Sequence, residues 1–199
     1  RTDGGDYRAA WRASADDFVI GFVGRITREK GLDDLLAAAG LLKRQTSNFK
    51  VVMVGEVNPE TPEYGDELRR KAAALGVELV IPGFSRDVAA VMQAIDCLAV
   101  PSIIPETFGI VLGEALSAGK PVIASNTGAQ SEIVRDGVDG FLVPPRAPER
   151  IAQALGRLAA DREMARRMGA AGRKSVFERF SAARTLAETE RIFLTIANG

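Results

Sequence analysis

Two carboxylates eight residues apart frame the stretch with the most chemical character, Pro101 to Gly119, which reads PSIIPETFGIVLGEALSAG. Glu106 follows Pro105 in a loop, and Glu114 lies inside a strongly apolar helix opened by Gly109. Around Glu114 on that helix, the positions three and four away are Ile110, Val111, Ser117 and Ala118, none of them a cation. A carboxylate so placed needs a hydrogen-bond partner from elsewhere, or it faces solvent. A ligand hydroxyl is one answer and a plain exposed position the other. The two glutamates stand about two helical turns apart, so they do not touch but can meet two parts of one elongated ligand. Between them, the backbone N–H groups of Gly109, Ile110 and Val111 are the unsatisfied donors of a first helical turn. Such donors seat phosphate; an ordinary helix start is the alternative.

A second cluster lies far upstream. Arg25 and Lys30 sit on a polar loop that ends at Gly31, just before a helix. Two cations beside a helix N-terminus make an anion site, with a fork from arginine and a mobile charge from lysine. Taken locally, a solvated loop explains them as well.

These residues need a scaffold. Phe18 to Gly24, FVIGFVG, is a continuous apolar run ending in glycine, as a buried parallel strand requires. Further strands are expected at Val51–Gly55, Val77–Ile81 (halted by Pro82-Gly83), Cys97–Val100, Pro121–Ala124 and Phe141–Val143. Helices are expected at Gly31–Arg44, Asp66–Leu75, Val88–Ile95, Gly109 onward, Pro148–Ala160, Asp161–Val176 and from Ser181 to about Ala197, with a helical turn at Gln130–Val134. Alternation of this kind predicts an α/β fold with a mostly parallel sheet, although the strand order is not readable. In open α/β sheets, ligands bind beyond the carboxyl ends of the strands. Gly24-Arg25, Gly55, Pro82-Gly83-Phe84 and Glu106–Gly109 all fall there. Arg25, Lys30, Glu106 and Glu114 are therefore expected to converge on one cleft.

Composition narrows the function. The 199 residues are 46% apolar, with 26 basic and 26 acidic side chains, one cysteine and no histidine. Net neutrality gives no electrostatic case for nucleic acid or an anionic membrane as the main partner. Without histidine the commonest general base and metal ligand are gone. Cys97 falls in an apolar strand and reads as core. No apolar run approaches the roughly 20 residues that span a bilayer, no signal-peptide pattern is present, and a cytoplasmic location is expected. The chain lacks G-x-G-x-x-G after a strand, G-x-x-x-x-G-K-[ST], D-x-D and G-x-S-x-G. That argues against dinucleotide dehydrogenases, P-loop NTPases, metal-dependent transferases with paired aspartates and α/β-hydrolases. The chain does not start with methionine; residues 1–17 read as a linker and 18–199 as one domain.

Three segments carry a family resemblance: VGRITREKG at Val23–Gly31, PSIIPETFGIVLGEALSAGKPVIAS at Pro101–Ser125, and GAQSEIVRDGVDGFLVPP at Gly128–Pro145. In their order and spacing they resemble the carboxyl-terminal, donor-binding domain of GT-B fold retaining glycosyltransferases, family 4. The resemblance covers about residues 17–197, and the E-x7-E pattern from Glu106 to Glu114 is specific only in that company. It implies a Rossmann-like domain that binds a nucleotide-diphosphate sugar, such as a UDP-, GDP- or ADP-sugar, with no cofactor and no metal. It implies that Gly24, Arg25 and Lys30 hold the diphosphate and stabilise it as leaving group. Glu106, with the backbone of Thr107, Phe108 and Gly109, meets the donor sugar; the amides of Ile110 and Val111 meet phosphate. Glu114 takes the ribose hydroxyls, and the loop around Gly83 and Phe84 forms the base pocket. The chain departs from the paired glycines common in the family at Gly128-Ala129, which is expected to narrow that loop. The resemblance also implies an amino-terminal domain, absent from this chain, that binds a sugar, lipid or small-molecule acceptor, packs against the last helix, and can bring the protein to the inner face of a membrane. A non-catalytic nucleotide-sugar-binding module and a GT-B-fold epimerase are the alternatives.

Overall fold

A computed structural model describes residues 4–197 of the chain. Its centre is a six-stranded, all-parallel sheet of β1 (Phe18–Val23), β2 (Phe49–Val54), β3 (Leu79–Gly83), β4 (Cys97–Val100), β5 (Val122–Ser125) and β6 (Gly140–Val143). The order across the sheet is β3-β2-β1-β4-β5-β6. β1 pairs with β2 from Phe18↔Phe49 to Val23↔Val54, and with β4 at Ile20↔Cys97 and Gly21↔Leu98.

β1 and β4 are apolar throughout because both faces of the sheet are covered there, while β2 carries one charge, Lys50, paired with Glu78, and the edge strand β3 is only partly buried. Phe18, Ile20 and Phe22 of β1 join Phe49, Val51 and Met53 of β2 in one core. That core takes in α2 (Leu32–Leu42), α3 (Glu63–Ala74) and α7 (Pro148–Ala160). Val19, Val52, Leu98 and Val122 point the other way, with buried side chains of α4 (Val88–Ala94) and α5 (Ile110–Ser117). A short α6 (Gln130–Ile133) borders this second layer, and α8 (Arg162–Arg179) packs on α5. Cys97 is fully buried in the first core, and burial pushes its thiol up out of the reactive range.

Several expectations are corrected. Pro82 and Gly83 belong to β3 and do not halt it. β3 is an edge strand, where a residue without an N–H is tolerated. α3 begins at Glu63, three residues before Asp66, because Pro62 enters with φ −63° and presets the first turn. From Gly4 onward, the stretch read as a linker is built into the domain. Helix α1 (Gly4–Ala10) lies on α4, and Trp11 is buried. Arg8 donates to Asp96 Oδ2 at 3.2 Å and to the carbonyl of Ala94 at 3.0 Å, while Tyr7 and Ser85 share a 2.8 Å hydroxyl contact. Residues 1–3 of that stretch lie outside the described residues. At the other end, α9 (Ala182–Ala197) leaves Leu186, Ile192 and Phe193 exposed. No helix among the described residues is long and apolar enough to cross a membrane.

Candidate functional site

The strand order reverses between β1 and β4, one neighbour lying to each side of the central pair. Loops leaving adjacent strands there diverge and open a crevice. The two loops involved are Gly24–Gly31, after β1, and Pro101–Gly109, after β4. They carry the two clusters of chemistry read from the sequence.

The loops are pinned to each other. Gly31 has φ +68°, and a Cβ built on it would lie 2.0 Å from the carbonyl oxygen of Pro101. The N–H of Ile103 donates to the carbonyl of Glu29 at 2.8 Å. This clasp brings Lys30 to Glu106 across 76 positions of sequence: Lys30 Nζ donates to Glu106 Oε1 at 2.5 Å. Ser102 Oγ donates to the same Oε1, also at 2.5 Å. Burial pushes the Glu106 carboxyl up, but the hydrogen bonds from Lys30 and Ser102 outweigh it and hold it below its ordinary value.

A third loop holds the Glu106 backbone. The N–H of Ala129 donates to the Glu106 carbonyl at 3.0 Å. Gly128, at φ +55°, presses against Glu106 so closely that a Cβ would meet its backbone nitrogen at 2.7 Å and its oxygen at 2.5 Å. Ala129 itself has φ −67°, a conformation any residue adopts. Glycine is needed for its backbone conformation at the first of the two positions and not at the second, where Ala129 lines the groove beside α5.

The structure sorts the cations of the β1 loop. Arg28 is tied away, donating to Glu67 at 2.7 Å and lying 4.5 Å over the Tyr64 ring. Arg25 is exposed and has no hydrogen bond or ion pair among the described residues. Gly24 sits where β1 ends, its N–H bonded to Val54 at 3.0 Å. Gly24, Arg25, Lys30, Glu106, Thr107, Phe108, Gly109, Ile110 and Val111 all line one cleft of about 310 Å³. Gly109 enters α5 at φ +65°, and no side chain caps the first turn. The amides of that turn and two cations therefore share the cleft, an arrangement that suits a polyanion.

Glu114 is not in that cleft. It borders a larger, mainly apolar groove of about 860 Å³ between α4, α5 and the end of α8, which adjoins the first through Thr107, Phe108, Gly109 and Ile110. Four residues expected in one cleft thus occupy two that join. The Glu114 side chain is exposed on that groove and has no hydrogen bond or ion pair among the described residues, and the partial burial of its carboxyl pushes it above the ordinary glutamate value of 4.5. The native state then binds that proton more tightly than the unfolded chain does. Stability falls as pH rises from 4.5 through the raised value, and at pH 7 the ionised group weighs against the fold. Solvent reaches the exposed side chain and screens much of that cost, so replacement by glutamine is expected to raise the melting temperature of the ligand-free protein at pH 7 only slightly and to have no such effect at pH 4. An unchanged or lower melting temperature at pH 7 would contradict this account of Glu114. Gly83 and Phe84 line neither cleft. They stand at the end of β3, with the Phe84 ring 65% exposed. Among the described residues, no three carboxylate or cysteine side chains come together as a metal site.

Sequence reasoning missed Ser102. Its signal was faint: a hydroxyl directly after the strand and its proline, four positions before Glu106. It also missed the Lys30–Glu106 pair, having given the two residues to different parts of a ligand.

Fold and site together define the class, a Rossmann-like domain of the GT-B glycosyltransferase type. The family model described as glycosyl transferases group 1 matches residues 5–175, and the chain belongs to that family. A D-inositol 3-phosphate glycosyltransferase from Nocardia farcinica is 38% identical over 172 residues, covering 81% of this chain and 38% of the relative. The crystal structure of HepE from Anabaena in complex with UDP-glucose superposes with a TM-score of 0.87 at 27% identity, over 100% of this chain and 53% of that one. The C-terminal domain of a glycosyl transferase group 1 family protein (LpcC) from Francisella tularensis gives a TM-score of 0.81 at 25% identity, covering 92% of this chain and 95% of that domain. The chain therefore spans about half, or less, of the length of these full-length relatives.

Proposed function

We propose that this domain binds a nucleotide-diphosphate sugar and, within the full-length protein, serves a family 4 glycosyltransferase that transfers the sugar with retention and without a metal. The observation that carries the reading is the meeting of Arg25, Lys30 and the uncapped first turn of α5 in one cleft, beside an unpartnered Glu114. Retaining transfer builds negative charge on the leaving diphosphate. Two cations and the N–H groups of Ile110 and Val111 oppose that charge where a metal would otherwise be required. Glu114 accepts hydrogen bonds from ribose hydroxyls, and its cost to the free protein is relieved when they arrive. Glu106, with the backbone of Thr107, Phe108 and Gly109, faces the sugar, while the Gly83 backbone and the Phe84 ring meet the base. The exposed apolar side chains of α9 suit contact with an amino-terminal, acceptor-binding domain.

The reading also draws on the family and on HepE, whose crystal structures hold UDP and UDP-glucose. Calorimetric titration with UDP, GDP, ADP and their glucose conjugates tests it. One of them is expected to bind, and Glu114→Ala to weaken that binding about tenfold, the scale of one or two hydrogen bonds to a charged group. Binding of none of the six, or an unchanged affinity in the variant, would sink the proposal.

A further inference from the structure

Ser102 is a fully buried polar residue that the donor-binding reading leaves unused. Its backbone is clamped from both sides by the β1 loop. Pro101, before it, packs its carbonyl against Gly31, and Ile103, after it, donates its N–H to Glu29. The hydroxyl is therefore rigidly mounted, and it donates to Glu106 Oε1 at 2.5 Å. Lys30 reaches the same oxygen at the same distance. Oε2 has no hydrogen bond among the described residues and is the acceptor left over.

The two donors differ in kind. Lysine carries its charge on a flexible four-carbon stem, and a diphosphate entering the cleft competes with Glu106 for it. Serine is neutral, short and buried, so an incoming anion does not draw it away. While Lys30 turns to phosphate, Ser102 keeps Oε1 occupied and the Glu106 carboxylate in one orientation, with Oε2 free.

We propose that Ser102 is a positioning residue that orients Glu106 toward the sugar and so sets the preference for a nucleotide-diphosphate sugar over the bare nucleotide diphosphate. The proposal rests on the donor-binding reading. It makes Ser102 act only through Glu106, on the sugar and not on the nucleotide.

Binding of UDP, GDP and ADP, each with and without glucose, is measured for the unaltered protein, Ser102→Ala, Glu106→Ala and the double variant. In the nucleotide series that binds, Ser102→Ala is expected to lower the preference for the glucose conjugate about five- to tenfold, consistent with loss of a hydrogen bond to a charged group. Affinity for the bare diphosphate stays unchanged, which also shows that the fold is intact. In the Glu106→Ala background the serine substitution is expected to have no further effect on the preference, as a shared pathway requires. A Ser102→Ala loss that falls equally on both ligands means a merely structural role and overturns the proposal. So does a loss of preference that persists without Glu106, or an unaltered protein that binds the diphosphate but gains nothing from the sugar. If no nucleotide diphosphate binds at all, the donor-binding reading fails and this inference goes with it.

Discussion

Replacing Lys30 by alanine is expected to lower sugar transfer by the full-length protein about 100- to 1,000-fold, the scale set by removing one preorganised charge-stabilising donor from an active site. Lys30 is placed for such an effect. It lines the cleft with Arg25 and the start of α5, and its side chain is only 21% exposed, so solvent screens it weakly. Removing it also strips Glu106 of its cation. The Lys30 hydrogen bond is the largest influence holding that carboxyl down, so the Glu106 pKa rises in the variant. Transfer is then expected to fail at a higher pH on the acid side than in the unaltered protein. Lys30→Arg keeps the charge but puts a planar fork where a point charge fitted, and recovers activity only in part. Arg28→Ala is the control. Arg28 is two positions away in sequence but engaged with Glu67 and Tyr64, so transfer changes by less than a factor of about three. Steady-state rates of the three variants decide the matter. Equal losses at Lys30 and Arg28 would show that general basicity is at work and not the geometry of the cleft.

Gly31→Ala should be the most damaging single methyl added to the site. The left-handed φ of +68° makes any side chain cost about 1–2 kcal/mol there. The new Cβ would lie 2.0 Å from the carbonyl oxygen of Pro101, so the β1 and β4 loops must part; overpacking of this sort adds about 1–3 kcal/mol. Together that is about 2–5 kcal/mol, which at about 2–4 °C per kcal/mol for a chain of this size is readily seen in a thermal melt. The functional loss is expected to exceed what instability explains. Parting the loops separates Lys30 from Glu106 and releases Ser102, so donor binding should fall even at a temperature where the variant is fully folded. Gly76→Ala is a useful contrast. It has a similar φ of +65° but nothing within 4 Å of its Cβ, so it should show the conformational cost alone and leave donor binding unchanged. If Gly31→Ala behaves like Gly76→Ala, the clasp between the loops is not what holds the site.

Much of this protein can be read from the order of its residues. Runs such as FVIGFV and CLAV are apolar at every position, because strands covered on both faces bury both sets of side chains. That local pattern identifies β1 and β4 and places Gly24, Arg25, Glu106 and Gly109 beyond their ends. The solitary character of Glu114 is equally local, since helix neighbours are set by spacing alone. The first residues were misread because Tyr7 and Arg8 give no periodic signal in so short a helix, and their partners, Ser85, Ala94 and Asp96, lie about eighty positions away.

Only the tertiary structure decided which strand lies beside which. Strand order comes from how helices pack over the sheet, through contacts that link residues distant in sequence and leave no mark in local periodicity. The order β3-β2-β1-β4-β5-β6 makes β1 and β4 neighbours, and from that follow the crevice, the clasp at Gly31 and the Lys30–Glu106 pair. It also chose between two nearby cations, tying Arg28 to Glu67 and leaving Arg25 for the cleft, and it turned Glu114 into an adjoining groove. Residue types determined which groups are able to hold an anion or a hydroxyl. Long-range packing determined which of them meet.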